Sequence, residues 1–216
     1  MLYKFKGRIV ASSLVLLLLI FIRTAVWMKI GRVPHLIPIP GIIALIIAWL
    51  LGRKYDETFF LSMKDPLTGL NNRRYVHFIF PKFIKTAQRK KKKLVVFVYD
   101  VDEFKQINDH YGHEYGDQIL LSVSKVLESD ITKHDVIARW GGDEFLGLSL
   151  FSDLHEIKAR IDSLQSKLKE LAKSFEKKIS VSVGYAVYGE DGKRLHDLIE
   201  KADQNMYRNK HSRKTV

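Results

Sequence analysis

Arg139-Trp140-Gly141-Gly142-Asp143-Glu144-Phe145 is the stretch on which the fold turns. Asp135 to Ala138 before it reads as a short apolar strand; Phe145, Leu146, Leu148 and Leu150 after it read as another. Two strands joined through Gly-Gly make a tight hairpin, because the turn needs positive φ and glycine takes it without a Cβ clash. Asp143 and Glu144 then sit together at the tip, beside backbone that a ligand can approach closely. Gly-Gly-Asp is also an ordinary turn composition, so the rest of the chain has to decide its meaning.

Working outward, Leu94 to Tyr99 (LVVFVY) is apolar throughout, as in a central strand covered on both faces, and it delivers Asp100 at its end. A hard divalent cation wants oxygen ligands from two or more segments plus substrate phosphates. Asp100 and the hairpin acids can supply them if the two strands are neighbours. Lys105 follows as a point charge for phosphates. Asn108 and Asp117 have the acceptors and donors to read guanine, whose N1–H and 2-amino group adenine does not present.

Upstream, Asp65-Pro66-Leu67-Thr68-Gly69-Leu70 forces a turn, and Asn71 or Asn72 can cap a helix from about Arg74 to Lys90. Further helices are expected near Gln118 to Leu127, from Leu154 to Ala172, and from Leu195 to about Tyr207. Ile179, Val181, Val183, Tyr185 and Val187 alternate as a half-buried strand. This order suits an α+β layer, an antiparallel central sheet with flanking helices.

Three stretches together resemble the GGDEF family of diguanylate cyclases: the DPLTGL opening with Asn72-Arg73-Arg74, the ungapped pattern DxDxFKxINDxxGHxxGD from Asp100 to Asp117, and the hairpin. The resemblance covers about residues 65–210 and implies a ferredoxin-like palm shared with nucleotidyl cyclases. It implies that Asp100, the Val101 carbonyl, Asp143 and Glu144 hold Mg²⁺, with Mn²⁺ as the alternative ion. Asp143, Glu144 and Lys105 would be catalytic. Asn108, His113, Asp117, Leu67, Phe104, Gly141, Gly142 and Lys210 would bind substrate, and Asp at position 117 favours GTP alone. The implied reaction joins two GTP into cyclic di-GMP across a homodimer. The alternative is a catalytically silent module that binds nucleotide for signalling.

Two departures stand out. The family's inhibitory RxxD site is here Thr132-Lys133-His134-Asp135, without its arginine, and the closing pattern keeps Lys210 but shifts the later Arg213 out of register.

The chain has 216 residues, no cysteine and a formal charge of +12. Disulfides and thiolate metal sites are excluded. Residues 1–54 hold eight Lys and Arg and no acid, so the basic balance lies mostly there, which fits anionic lipid better than nucleic acid. Ile9 to Ile22 and Val33 to Gly52 are uncharged runs of 14 and 20 residues. Two transmembrane helices at about 9–28 and 33–52 are expected, joined as a membrane hairpin with both ends on one side. A helical connector would follow at 53–64 and the catalytic domain at 65–216, facing the cytoplasm from the inner membrane. The basic run Arg89 to Lys93 reads as a solvated loop.

Overall fold

The computed structural model describes residues 5–31, 39–173, 175 and 179–214, with side chains as far as Arg208 in the last helix. The chain divides into two compact units, Met1–Ser62 and Met63–Val216.

The second unit is built on β2 (Lys93–Val101), whose residues are buried almost throughout. Leu94, Val96 and Val98 pack with Val76, Phe80 and Phe83 of α3 (Arg73–Lys90) and Leu198 and Ala202 of α7 (Leu195–Lys214). Val95, Phe97, Tyr99 and Val101 face the other way, onto α5 (His113–Asp130) and α6 (Leu154–Ala172) through Ile119, Val123, Ile157 and Leu164. The period-two alternation of a strand therefore serves two apolar layers at once, which is why the sequence reads as unbroken apolar.

β1 (Asn71–Asn72), β3 (Val136–Gly141), β4 (Glu144–Phe151) and β5 (Val181–Val187) complete a sheet of order β1-β3-β4-β2-β5. The four long strands pair antiparallel in the ferredoxin-like arrangement. The sheet is nevertheless mixed rather than wholly antiparallel, because β1 runs parallel to β3. The turn at residues 65–70 causes this: Asp65 N–H donates to Leu70 O and Gly69 N–H to Asp65 O. It leaves Asn71 along the β3 edge, where its Nδ2 donates to Ile137 O at 3.0 Å.

Asn72 caps α3, accepting from Tyr75 N–H at 3.2 Å. α6 has the bounds that the apolar spacing predicts. α5 begins earlier than expected, at His113, and a short helix that periodicity did not mark, α4 (Phe104–Tyr111), precedes it. α7 presses closely on β5: a Cβ at Gly184 would lie 2.1 Å from Ala202 O.

In the first unit, α1 (Lys6–Ile30) and α2 (Ile39–Leu61) lie side by side. Gly7 near the start of α1 meets Gly52 late in α2, so the helices run antiparallel; a Cβ at Gly52 would lie 2.6 Å from Arg8 Cα. The buried carboxylate of Asp56 accepts from Gly7 N–H at 2.7 Å and Arg8 N–H at 3.3 Å. It thus caps the first turn of α1 from the neighbouring helix.

The two expected spans are met in part. Among the described residues one helix, α1, is long and apolar enough to cross a membrane, with 25 residues that include an 18-residue stretch of mean hydropathy 2.5. The second does not reproduce the expected 33–52 span. Residues 33–38 lie outside the described residues, and α2 continues past Gly52 through Arg53, Lys54, Asp56 and Glu57. Pro40 falls in its first turn, where its missing N–H costs no helical bond.

Candidate active site

Three segments converge at one end of the sheet. β2 ends in Asp100 and Val101, and Asp100 pairs directly with Glu144 across the β2–β4 ladder. Val101 N–H donates to Asp143 O at 3.3 Å, tying the hairpin tip to the strand end. The tip is a two-residue connection, Gly142-Asp143, with Gly142 at φ 33° and Trp140 as an extra residue between paired Arg139 and Gly141. Positive φ is thus needed at one glycine of the pair. Gly141 lies in the strand, where an added Cβ would meet only Glu144 Oε2, at 3.9 Å, and Gly142 has open space in that place.

The acids repel one another. Burial, then the charges of Asp203, Asp143 and Asp100, push the Glu144 carboxyl above the usual range, with Arg73 opposing. Burial and Asp100 do the same to Asp203. Asp203 on α7 is a member of the cluster that the sequence alone did not single out. Its signal was the buried Ala202 beside it, which fixes that face of α7 against the sheet. Arg73, at the start of α3, is another; its guanidinium lies 4.6 Å from the Trp140 ring centroid.

Asp102 has a different job from Asp100. Its carboxylate accepts from Ser180 Oγ at 2.6 Å and Ser182 Oγ at 2.7 Å, pinning β5. Among the described residues no group of three His, Asp or Glu side chains is arranged to hold a metal ion. The donor chemistry of Asp100, Asp143, Glu144 and the Val101 carbonyl still fits one: hard oxygens from adjacent strands, whose repulsion a divalent cation would cancel.

A second cluster stands next to the first. Glu103, in the left-handed region at φ 58°, starts α4, which carries Phe104, Lys105 and Asn108. Phe104 and Asn108 share a face of α4 that meets α5 at Gly116; a Cβ there would lie 1.9 Å from Asn108 Oδ1 and 3.2 Å from the Phe104 ring. Asn108 Oδ1 and the Tyr115 hydroxyl are buried without a hydrogen-bond partner. An orphaned acceptor of this kind is costly unless something else donates to it. Leu67 and Phe104 pack on the same apolar cluster. Lys105, His113 and Asp117 are exposed at this end. The side chains of Lys210 and Arg213 lie outside the described residues.

Arg139 joins the opening loop to the hairpin. Its Nε and Nη2 donate to Gly142 O at 2.9 and 2.8 Å, and its Nη1 reaches Asp65 at 3.4 Å. Against the burial that would raise it, Thr68 hydrogen bonds and the Arg139 charge hold the Asp65 carboxyl below its usual value. At the far end of β3, Asp135 meets an arginine after all, but from α6: Arg160 Nη2 donates to it at 3.0 Å.

A family model described as "Diguanylate cyclase, GGDEF domain" matches residues 62–215. The chain belongs to the GGDEF family. It is 33% identical over 167 residues to the bifunctional diguanylate cyclase/cyclic di-GMP phosphodiesterase MucR of Pseudomonas aeruginosa, covering 75% of this chain and 24% of MucR. Against the diguanylate cyclase DgcS of Shewanella oneidensis it is 33% identical, covering 74% of this chain and 53% of DgcS. The chain therefore matches about a quarter to a half of the length of these curated relatives. The coiled coil and GGDEF domain of DgcB from Caulobacter crescentus, solved with c-di-GMP, superposes with TM-score 0.68 at 22% identity, over 76% of this chain and 88% of that one. That likeness establishes the palm-like GGDEF fold.

Proposed function

We propose that this GGDEF chain is a diguanylate cyclase that condenses two GTP into cyclic di-GMP and releases two pyrophosphates. The observation that carries the reading is the meeting of Asp100 with the Asp143-Glu144 tip, beside a pocket holding the orphaned Asn108 acceptor.

Asn108 accepts from the guanine edge and Asp117 from its N1–H and 2-amino group, while Leu67 and Phe104 wall the base. His113 stands in the same pocket. Lys105 and Lys210 neutralise triphosphate oxygens, and the open backbone at Gly141 and Gly142 lets the nucleotide approach. Asp100, the Val101 carbonyl, Asp143 and Glu144 would hold Mg²⁺ or Mn²⁺, which lowers the pKa of the attacking 3′-hydroxyl and offsets charge on the α-phosphate. Each domain presents one GTP, so two copies must face each other to close the ring. α1 anchors the chain in the inner membrane, the apolar part of α2 forms the returning span, and the catalytic domain at 65–216 lies in the cytoplasm beyond the connector at 53–64.

The test is GTP turnover by the full chain in detergent, beside Glu144→Ala. Cyclic di-GMP from the first, rising more steeply than linearly with protein concentration, and none from the second is the expected result. GTP binding without product at any concentration would replace the cyclase by the silent nucleotide-binding module.

A further inference from the structure

The acidic and the most basic parts of the domain sit at opposite ends of one strand. β2 leaves the run Arg89 to Lys93 and ends beside Asp100; seven steps at ~3.3 Å per residue separate Lys93 from Asp100 by roughly 23 Å. Lys82, Lys85 and Arg89 to Lys92 are exposed on or just past the last three turns of α3. Lys133, exposed before β3, joins them across a cavity of about 360 Å³ that Lys82, Arg89, Lys90 and Lys133 line.

Among the described residues none of these cations has an acidic partner. Lys93 does, in Glu190. The one carboxylate on the cavity wall, Asp135, has its side chain 5% exposed and is already held by Arg160. The helix dipole accounts for cations in the last turn of α3, such as Arg89 and Lys90. It does not account for Lys82 and Lys85 further up the helix, nor for Lys133 in a separate loop. Seven like charges without counter-charges make a lasting positive field on one end of the domain.

We propose that this end of the catalytic domain docks on the anionic headgroups of the bilayer. The inference rests on the reading of α1 as a membrane span. A tethered domain meets the headgroups at high effective concentration, and each basic side chain near an anionic leaflet adds to the attraction. Nucleic acid is the poorer fit: among the described residues, apart from the exposed His134 imidazole, the aromatic rings lining the cavity, Tyr75 and Phe83, are half-buried and buried, which leaves bases little to stack on. Docking by this end leaves the other end of β2, with its acids, free to face a second copy.

The chain has no cysteine, so a single one can carry a fluorophore. Full-length Lys92→Cys and, on α6 against the opposite sheet face, Ser166→Cys are labelled and placed in nanodiscs with headgroup-attached quencher. Phosphatidylcholine alone is compared with a phosphatidylcholine–phosphatidylglycerol mixture. The Lys92 label is expected to be quenched several-fold more in the anionic disc, and to recover at ~1 M salt, where the Debye length is ~3 Å. The Ser166 label is expected not to respond, and Lys82→Gln, Lys85→Gln and Lys133→Gln together should return the Lys92 label toward its neutral-disc value. Equal quenching in both discs, or at both labels, overturns the proposal. So does a Lys92 label that ignores anionic lipid but responds to an added oligonucleotide. A chain that fails to co-elute with the disc overturns the membrane anchor itself, a failure distinct from an anchored chain whose label is silent.

Discussion

Asp100 on β2 and Glu144 on β4 are direct cross-strand partners, two carboxylates on the same side of the sheet. Like charges so placed destabilise a ladder, and here Asp143 and Asp203 add to the repulsion. Because the folded Glu144 carboxyl is raised, its contribution is present below the unfolded value, near 4.3, and is lost as pH rises through the higher folded value. Metal-free protein should therefore lose stability between mildly acidic and neutral pH. Mg²⁺ should restore it at pH 7.5 more than at pH 5. Glu144→Gln should raise the metal-free Tm at neutral pH by about 2–4 °C and shrink the Mg²⁺ response. Differential scanning calorimetry checks all three; a Glu144→Gln protein no more stable than the parent would show that the cluster carries no repulsion.

Arg139 is the clasp between the Asp65 loop and the hairpin tip. Arg139→Lys cannot keep the fork that holds Gly142 O and Asp65 together, and should cost about 1–3 kcal/mol in denaturant unfolding. The Asp65 carboxyl is held low, so its stabilising part is present above the unfolded value and fades as pH falls below about 4. Acid unfolding of the variant should therefore lose part of the parent's steepness in that range.

Asn108 separates binding from folding. Its Oδ1 is a buried acceptor without a partner, so Asn108→Ala should change thermal stability little. The KM for GTP should nevertheless rise by roughly 10- to 100-fold, since a site built to hydrogen-bond loses that term. Gly116→Ala does both kinds of damage: its Cβ would land 1.9 Å from Asn108 Oδ1 and 3.2 Å from the Phe104 ring, side chains held between two packed helices. It should cost about 1–3 kcal/mol and raise KM together, as read by calorimetry and steady-state kinetics on one preparation.

Gly184 sets how closely α7 lies on β5, with Ala202 O only 2.1 Å from where a Cβ would stand. Gly184→Ala must push α7 outward and carry Asp203 with it. Stability should fall by about 1–3 kcal/mol or more. Turnover, measured below the Tm, should fall further than the loss of folded protein explains.

Much of this was written in the local pattern. LVVFVY announced a strand covered on both faces, and Leu154 to Ala172 kept a helical stripe long enough to fix both ends. α4 stayed hidden because it buries one residue, Ile107, and a single apolar position has no period. β1 is two residues long and exists through its loop's hydrogen bonds, which no periodicity reveals. Asp100 and Asp102 looked alike in sequence, yet Asp100 faces Glu144 in the ladder while Asp102, just past the end of β2, is engaged by Ser180 and Ser182, partners 78 and 80 residues away that no local pattern reveals. Asp203 and Arg160 act on residues distant in sequence, so only the assembled layers show what they meet. The two-span reading rested on uncharged runs; that the second run and the expected helical connector join in one helix as far as Leu61 is not something a count of apolar residues shows.

The strand order has a consequence for how the chain is made. β2 is the first of the long strands to be synthesised, yet it sits between β4 and β5. Its second edge is not covered until Val187 has emerged, 86 residues after Val101. At about 5–20 residues per second, that is roughly 4–17 s in which an apolar strand waits with an open edge. Such an edge invites pairing with neighbouring nascent chains. The five consecutive cations from Arg89 to Lys93 lead into its first residue, where repulsion between copies guards the unfinished strand during translation.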